Sequence, residues 1–174
     1  MGIATKREET LRRVVSNAGP LIHLYEADCL CLLRLTGEVS IPQHVASEVA
    51  NYFSQWRAPE WIAVAALNKS RAAESLAWQW AGLLDAGEAD ALALARQLNA
   101  DWFLTDDEMA RLLGKQLGLE VHGSLGVVLW TAAVHLIERK EAEEALEHLA
   151  HSSLWVSAAI LGEARIALEE FYRD

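Results

Sequence analysis

Cysteine is scarce in these 174 residues: Cys29 and Cys31 are the only two, flanking Leu30 in an apolar segment. With no second pair to answer them, a disulfide framework and a cysteine-rich zinc site are excluded, and buried free thiols are the expectation. Long apolar runs are missing too. "WIAVAAL" and "LGVVLW" fall far short of the roughly 20 residues that a membrane helix needs. The first residues, "MGIATKREET", hold no apolar signal core, and Lys6 stands where a myristoylation pattern needs Ser or Thr, so a cytoplasmic protein without membrane attachment is expected. Basic charge is also in short supply. Lys and Arg total 15 against 25 Asp and Glu, a formal net charge of -10, which excludes a broad basic face for gripping nucleic acid. Two options survive: a cluster of acids that recruits a cation, or a plain acidic surface. Six histidines form no H-E-x-x-H or comparable zinc spacing. There is no P-loop, no G-x-G-x-x-G, and no D-x-D-x-T nucleophile loop after the first strand.

What the chain does have is the makings of one globular domain, with 52% hydrophobic residues and no repeat or low-complexity tract. Short apolar strands alternate with helical periodicity. "VVS" opens the series, followed by helical spacing over residues 21–35 that breaks near Asp28 and stops at Gly37. "EVSIP" is a second strand, "QHVASEVANYF" a helix with Val45, Val49 and Phe53 on one face, and "PEWIAVAAL" holds a third strand. A Trp-rich segment over residues 76–84 leads to the helix "LDAGEADALALARQL". "ADWFLT" (strand), "DDEMARLLGKQLG" (helix), "LEVHG" (strand) and "SLGVVLWTAAVHLIERK" (helix) come next, with two further helices over 141–150 and 157–172. Such alternation predicts a parallel sheet covered on both faces, a three-layer α/β/α sandwich.

Four polar features fall where this map brings strand ends together, and each has an ordinary structural explanation beside a functional one. Asn17 follows the first strand and suits a helix cap or turn ahead of Pro20. Glu48 lies beside an apolar stripe and reads equally as a surface glutamate. Glu88 stands three residues after Asp85, the spacing of a capping box; Asp90 is a weaker alternative to it. Asp106 and Asp107 close "WFLT", where Thr105 and Glu108 would form another capping box. Two adjacent carboxylates after a buried strand repel each other, however, and a cation would relieve them. Carboxylates from separate loops form a hard oxygen site suited to Mg²⁺ or Mn²⁺. Ser124 in "HGSLG" either caps its helix or touches a phosphate.

"VVSNAGPLIHL", "GEVSIPQHVASEV", "LDAGEADALALARQLNADWFLTDDEMARLLGKQLGLEVHGSLGVVLWTAAVHLI" and "LEHLAHSSLWVS", in this order, resemble the PIN-domain family, in a branch similar to the VapC toxins and described as predicted nucleic-acid-binding proteins of unknown function. The resemblance implies a PIN-like domain over 13–162, with an arm over 1–12 and a C-terminal helical extension over 163–174. It implies a Mg²⁺- or Mn²⁺-dependent endoribonuclease that is toxin-like, acts on RNA, forms a homodimer and pairs with an antitoxin. The family's acidic positions fall on Asn17, Glu48, Glu88 and the Asp106/Asp107 pair, with Asp107 best aligned, and Ser124 takes the small hydroxyl position.

Two departures stand out. Asn17 replaces the first aspartate, so its amide oxygen brings no charge to a cation. Ala132 and Ala133 stand where a basic residue is usual, leaving Arg111 and Lys115, with Lys69 and Arg71, as candidate phosphate contacts. A PIN fold with weakened catalysis, acting by RNA or protein binding, is the alternative that these departures favour. Homodimer contact is expected around 20–35 and 43–53, and the seven tryptophans are expected mainly in packing.

Overall fold

The computed structural model describes residues 11–173, so the arm expected over 1–12 lies outside the described residues except for its last two. Five strands, β1 (Arg13–Ser16), β2 (Glu38–Pro42), β3 (Ile62–Ala65), β4 (Trp102–Leu104) and β5 (Glu120–His122), form one all-parallel sheet in the order β3-β2-β1-β4-β5. Nine helices connect or follow them among the described residues: α1 (Ala18–Glu26), α2 (Cys31–Arg34), α3 (Gln43–Tyr52), α4 (Lys69–Trp80), α5 (Ala86–Gln97), α6 (Glu108–Gln116), α7 (Ser124–Ala133), α8 (Arg139–Ala150) and α9 (Ala158–Phe171). The three-layer α/β/α sandwich read from the sequence is what forms.

The central strands are buried because both faces are covered: Val14, Val15, Phe103 and Leu104 are sealed from solvent. On one side α5 lies across β1, β2 and β4 and carries α4 on its outer flank. Ala89, Ala91, Leu92, Ala93, Leu94 and Ala95 are all fully buried. The middle of this helix, Ala91–Ala95, is thus enclosed on all sides, and its alanines let sheet and α4 approach closely. On the other side α7 packs with α1, α2, α8 and α9, and α9 buries Ala164 and Leu168 there.

Sharp turns set the boundaries. Asp28 takes a left-handed conformation, φ +53°, between α1 and α2. Gly37, φ +149°, passes so close to the Arg12 carbonyl that a Cβ would lie 2.1 Å from it, and only glycine fits that approach. Arg12 in turn lays its guanidinium over Trp102 at 4.0 Å and Trp130 at 4.7 Å and donates to the Thr36 carbonyl at 2.9 Å.

Three local expectations are corrected. The helix predicted to run from Ser124 to Lys140 is two helices: α7 ends at Ala133, His135 turns left-handed at φ +54°, and a Glu138/Glu141 capping box starts α8. The Trp-rich segment belongs to α4, which begins earlier, at Lys69, capped by Asn68. Of the two thiols only Cys29 is buried, its pKa pushed up to about 12 chiefly by burial; Cys31 is exposed at the start of α2. Among the described residues, no helix is long and apolar enough to cross a membrane.

Candidate active site

Strand order reverses between β1 and β4: β2 and β3 extend to one side, β5 to the other. A parallel sheet opens a crevice at the carboxyl ends of the strands where this happens. Pairing of Ser16 with Leu104 sets the two strand ends level, and the Asn17 amide continues the ladder by donating to the Leu104 carbonyl at 2.8 Å. The residues just past these strand ends therefore face one cleft of about 370 Å³, lined by Asn17, Glu48, Asp85, Glu88, Asp106 and Asp107 together with His23, Ser153 and Trp155.

Asn17 is the N-cap of α1 and is almost fully buried. Its Oδ1 accepts from the Ala18 amide at 2.8 Å and its Nδ2 donates to Thr105 Oγ1 at 3.3 Å. Both ends of the amide are thus engaged within the protein.

The neighbouring aspartates divide their work. Asp106 points inward. His23 Nδ1 meets its Oδ2 at 2.7 Å, and Ser124 donates twice, from its amide to Oδ1 at 2.8 Å and from Oγ to Oδ2 at 2.5 Å. Burial pushes the Asp106 carboxyl up, but these hydrogen bonds and the His23 charge outweigh it and hold the group below the ordinary aspartate value. Gly123 makes the approach possible, since a Cβ there would lie 2.5 Å from Asp106 Oδ1 and 2.9 Å from Arg111 Nη2. Asp107 is the N-cap of α6 through its Oδ1, which accepts from the Ala110 amide at 2.7 Å. That corrects the capping box expected from Thr105 and Glu108. The chain is still extended at Asp107, and the Thr105 hydroxyl instead accepts from the Asp107 amide at 3.1 Å.

Across the cleft, Asp85 and Glu88 form the capping box of α5: the Glu88 amide donates to Asp85 Oδ1 at 2.8 Å, and the Asp85 amide to Glu88 Oε2 at 3.0 Å. Glu48 reaches over from α3 to Gly87, where a Cβ would lie 2.6 Å from its Oε2. Partial burial, then the Asp85 charge, push the Glu48 carboxyl above its ordinary value. Burial likewise pushes Glu88 up, and the charges of Asp85, Asp107 and Glu48 add to that against the opposing backbone hydrogen bond. Carboxylates that raise one another in this way share a repulsion that a cation in the cleft would relieve. A PIN-domain family model matches residues 13–170. The chain belongs to the PIN-domain family. No curated protein matches it.

PIN domains are generally dependent on divalent metal, and the donor set here suits a hard cation in kind: all oxygen, all carboxylate. As the side chains stand, no three His, Cys, Asp or Glu among the described residues are grouped to hold a metal ion. The single oxygen of Asn17 and both oxygens of Asp106 already carry hydrogen bonds. Asp107 and Glu88 each give one oxygen to a backbone amide and keep the other, so with Glu48 they are the carboxylates that could still turn to a cation. Such a sparse set fits Mg²⁺, which keeps most of its waters and takes one or two carboxylates plus substrate phosphate.

The other predicted residues of this PIN domain lie elsewhere or are occupied. Asp90 turns away to Ser75, at 2.5 Å, and His44. Ser124 is sealed from solvent against Asp106. Arg111 Nη2 donates to the Thr105 carbonyl at 2.9 Å, while Lys115 is exposed further along α6. Lys69 and Arg71 start α4, where Arg71 pairs with Glu74 at 2.7 Å. Among the described residues, no Lys or Arg lines the cleft. Several lining residues escape sequence reasoning, Ser153 and Trp155 among them. His23 carries no motif and meets Asp106 only through the fold, and Asp85 is hidden by its own capping role.

Proposed function

We propose that this PIN domain is a Mg²⁺- or Mn²⁺-dependent endoribonuclease of modest activity, toxin-like in the manner of VapC proteins. The observation that carries the reading is the convergence of Glu48, Glu88 and Asp107 on one cleft at the strand-order reversal, with the two glutamates raised by burial and by neighbouring carboxylate charge. Glu48, Glu88 and Asp107 would hold the cation, whose chemistry is to lower the pKa of a water and offset charge on the phosphodiester. Asp106, His23 and Ser124 fix the corner on which Asp107 stands, and Asn17 fixes the entry to α1. Its partners in this reading are an RNA substrate, an antitoxin and a second copy of the chain, in the cytoplasm. Titration of the full chain with Mn²⁺ by calorimetry tests it, beside RNA cleavage with and without chelator. Glu88→Ala and Asp107→Ala should each abolish Mn²⁺ binding and cleavage. Cleavage by clean protein that survives chelator or Glu88→Ala refutes the mechanism.

A second reading, a PIN domain with weakened catalysis that acts by binding RNA or protein, is favoured by one observation: Asn17 spends both ends of its amide on Ala18 and Thr105. Asn17→Asp separates the two. A charge added at this position of the carboxylate cleft should tighten Mn²⁺ binding about tenfold or more. If cleavage appears only in that variant, the second reading holds for the natural chain.

A further inference from the structure

Trp155 stands on the lip of the carboxylate cleft with 85% of its surface exposed. An indole offers about 150–250 Å² for burial, and here almost none of it is used for packing. The segment beneath it is nonetheless pinned. Ser153 donates from both its amide and its hydroxyl to Glu26 Oε2, at 2.8 and 2.7 Å, and the Leu154 amide donates to Ser152 Oγ at 3.2 Å. The second Glu26 oxygen accepts from the Tyr52 hydroxyl at 3.1 Å, one turn beyond Glu48 on α3. One carboxylate thus ties the Trp155 segment to α1 and α3, which carry His23 and Glu48 to the same cleft. Trp80, exposed to the same degree, lines no part of it.

We infer that Trp155 is a stacking platform for a base of single-stranded RNA whose adjoining phosphate enters the cleft. This rests on the nuclease reading and specifies its substrate. A phosphate drawn to a cation among Glu48, Glu88 and Asp107 leaves the attached base at the rim, where the indole face waits. Leu154 and Ile22 line the cleft beside Trp155 together with Ser153 and the carboxylates, so the rim offers a base an apolar seat next to polar groups for its sugar and for a cation-bound phosphate. Every base has a π-face, so stacking is tolerant of sequence. It does require an unpaired base, and it therefore selects single strands over duplex.

The test is fluorescence anisotropy with the full chain in Ca²⁺, using a labelled single-stranded RNA with phosphorothioate linkages, its duplex, and versions carrying one abasic position. Trp155→Ala should weaken single-strand binding by about 5- to 150-fold, leave calorimetric Ca²⁺ affinity and thermal stability unchanged, and lose sensitivity to the abasic position. Trp155→Phe, which keeps a ring, should restore most of the binding. Unchanged single-strand affinity in Trp155→Ala overturns the proposal, as does an equal loss toward duplex. A change of sedimentation in place of RNA affinity also overturns it and points to a protein partner. RNA binding that depends on Trp155 without any cleavage upholds it while the nuclease reading fails. A wild-type chain with no RNA affinity ends both.

Discussion

Removing the Ser124 hydroxyl isolates one bond at the centre of the site. Ser124 is fully buried, and its Oγ lies 2.5 Å from Asp106 Oδ2, a carboxylate with only 12% of its side chain exposed. A hydrogen bond to a charged partner contributes about 1.5–3 kcal/mol. In Ser124→Ala two contacts to Asp106 remain, the residue-124 backbone amide at 2.8 Å and His23 Nδ1 at 2.7 Å, which places the loss near the lower end, about 1.5–2 kcal/mol at pH 7. For a chain of this size that corresponds to a fall in Tm of about 3–8 °C. The pH dependence comes from the lowered Asp106 value. Its contribution is fully present above the ordinary aspartate pKa of about 3.9 and is lost as pH falls through the lower folded value. The penalty of Ser124→Ala should therefore be largest near neutrality and shrink in acid. Urea midpoints measured by circular dichroism, from pH 7 down to the acid limit of folding, test it. A penalty below about 0.5 kcal/mol at pH 7, or one that grows in acid, refutes the assignment of Asp106 as a buried, hydrogen-bonded anion.

Glu88→Gln keeps an acceptor for the Asp85 amide and removes only charge. Because Glu88 is raised in the fold, its ionisation opposes stability as pH rises past about 4.3. Without cation the variant should melt higher than wild type at pH 7, by less than about 1 kcal/mol, and equal it below about pH 4, while Mn²⁺ binding falls; a lower melt at pH 7 contradicts the repulsion. Gly123→Ala places a Cβ against Asp106 Oδ1 and Arg111 Nη2. A loss of about 1–3 kcal/mol is expected, measured by urea unfolding, and a neutral outcome would mean that the corner yields freely.

Much of the chemistry that acts over a few residues was legible in the sequence. The Asp85–Glu88 capping box and the Asp28 break are i to i+3 or single-residue events, and both form. The sheet was readable from short apolar runs between helical periods. The end of α7 was not legible, because Val134, Leu136 and Ile137 continue the apolar pattern through the turn at His135. The division between Asp106 and Asp107 was out of reach for another reason. It depends on His23, 83 positions away, and on Ser124, 18 positions on, and no local pattern encodes those meetings. Thr105 misled by being a good cap residue in the right place. Its hydroxyl serves Asn17 and Asp107 while the chain is still extended.

The seam between β1 and β4 has a consequence for how the molecule is made. Val14 pairs with Trp102, and Asn17 meets Thr105 across 88 positions of chain. β1 and β2 can associate as soon as both exist, but closing this loop costs entropy that only the completed core repays. The cleft therefore comes into being late, after most of the chain has been synthesised. During that interval Asn17 and Glu48 have no Asp106 or Asp107 to face, and the carboxylate cleft is unassembled.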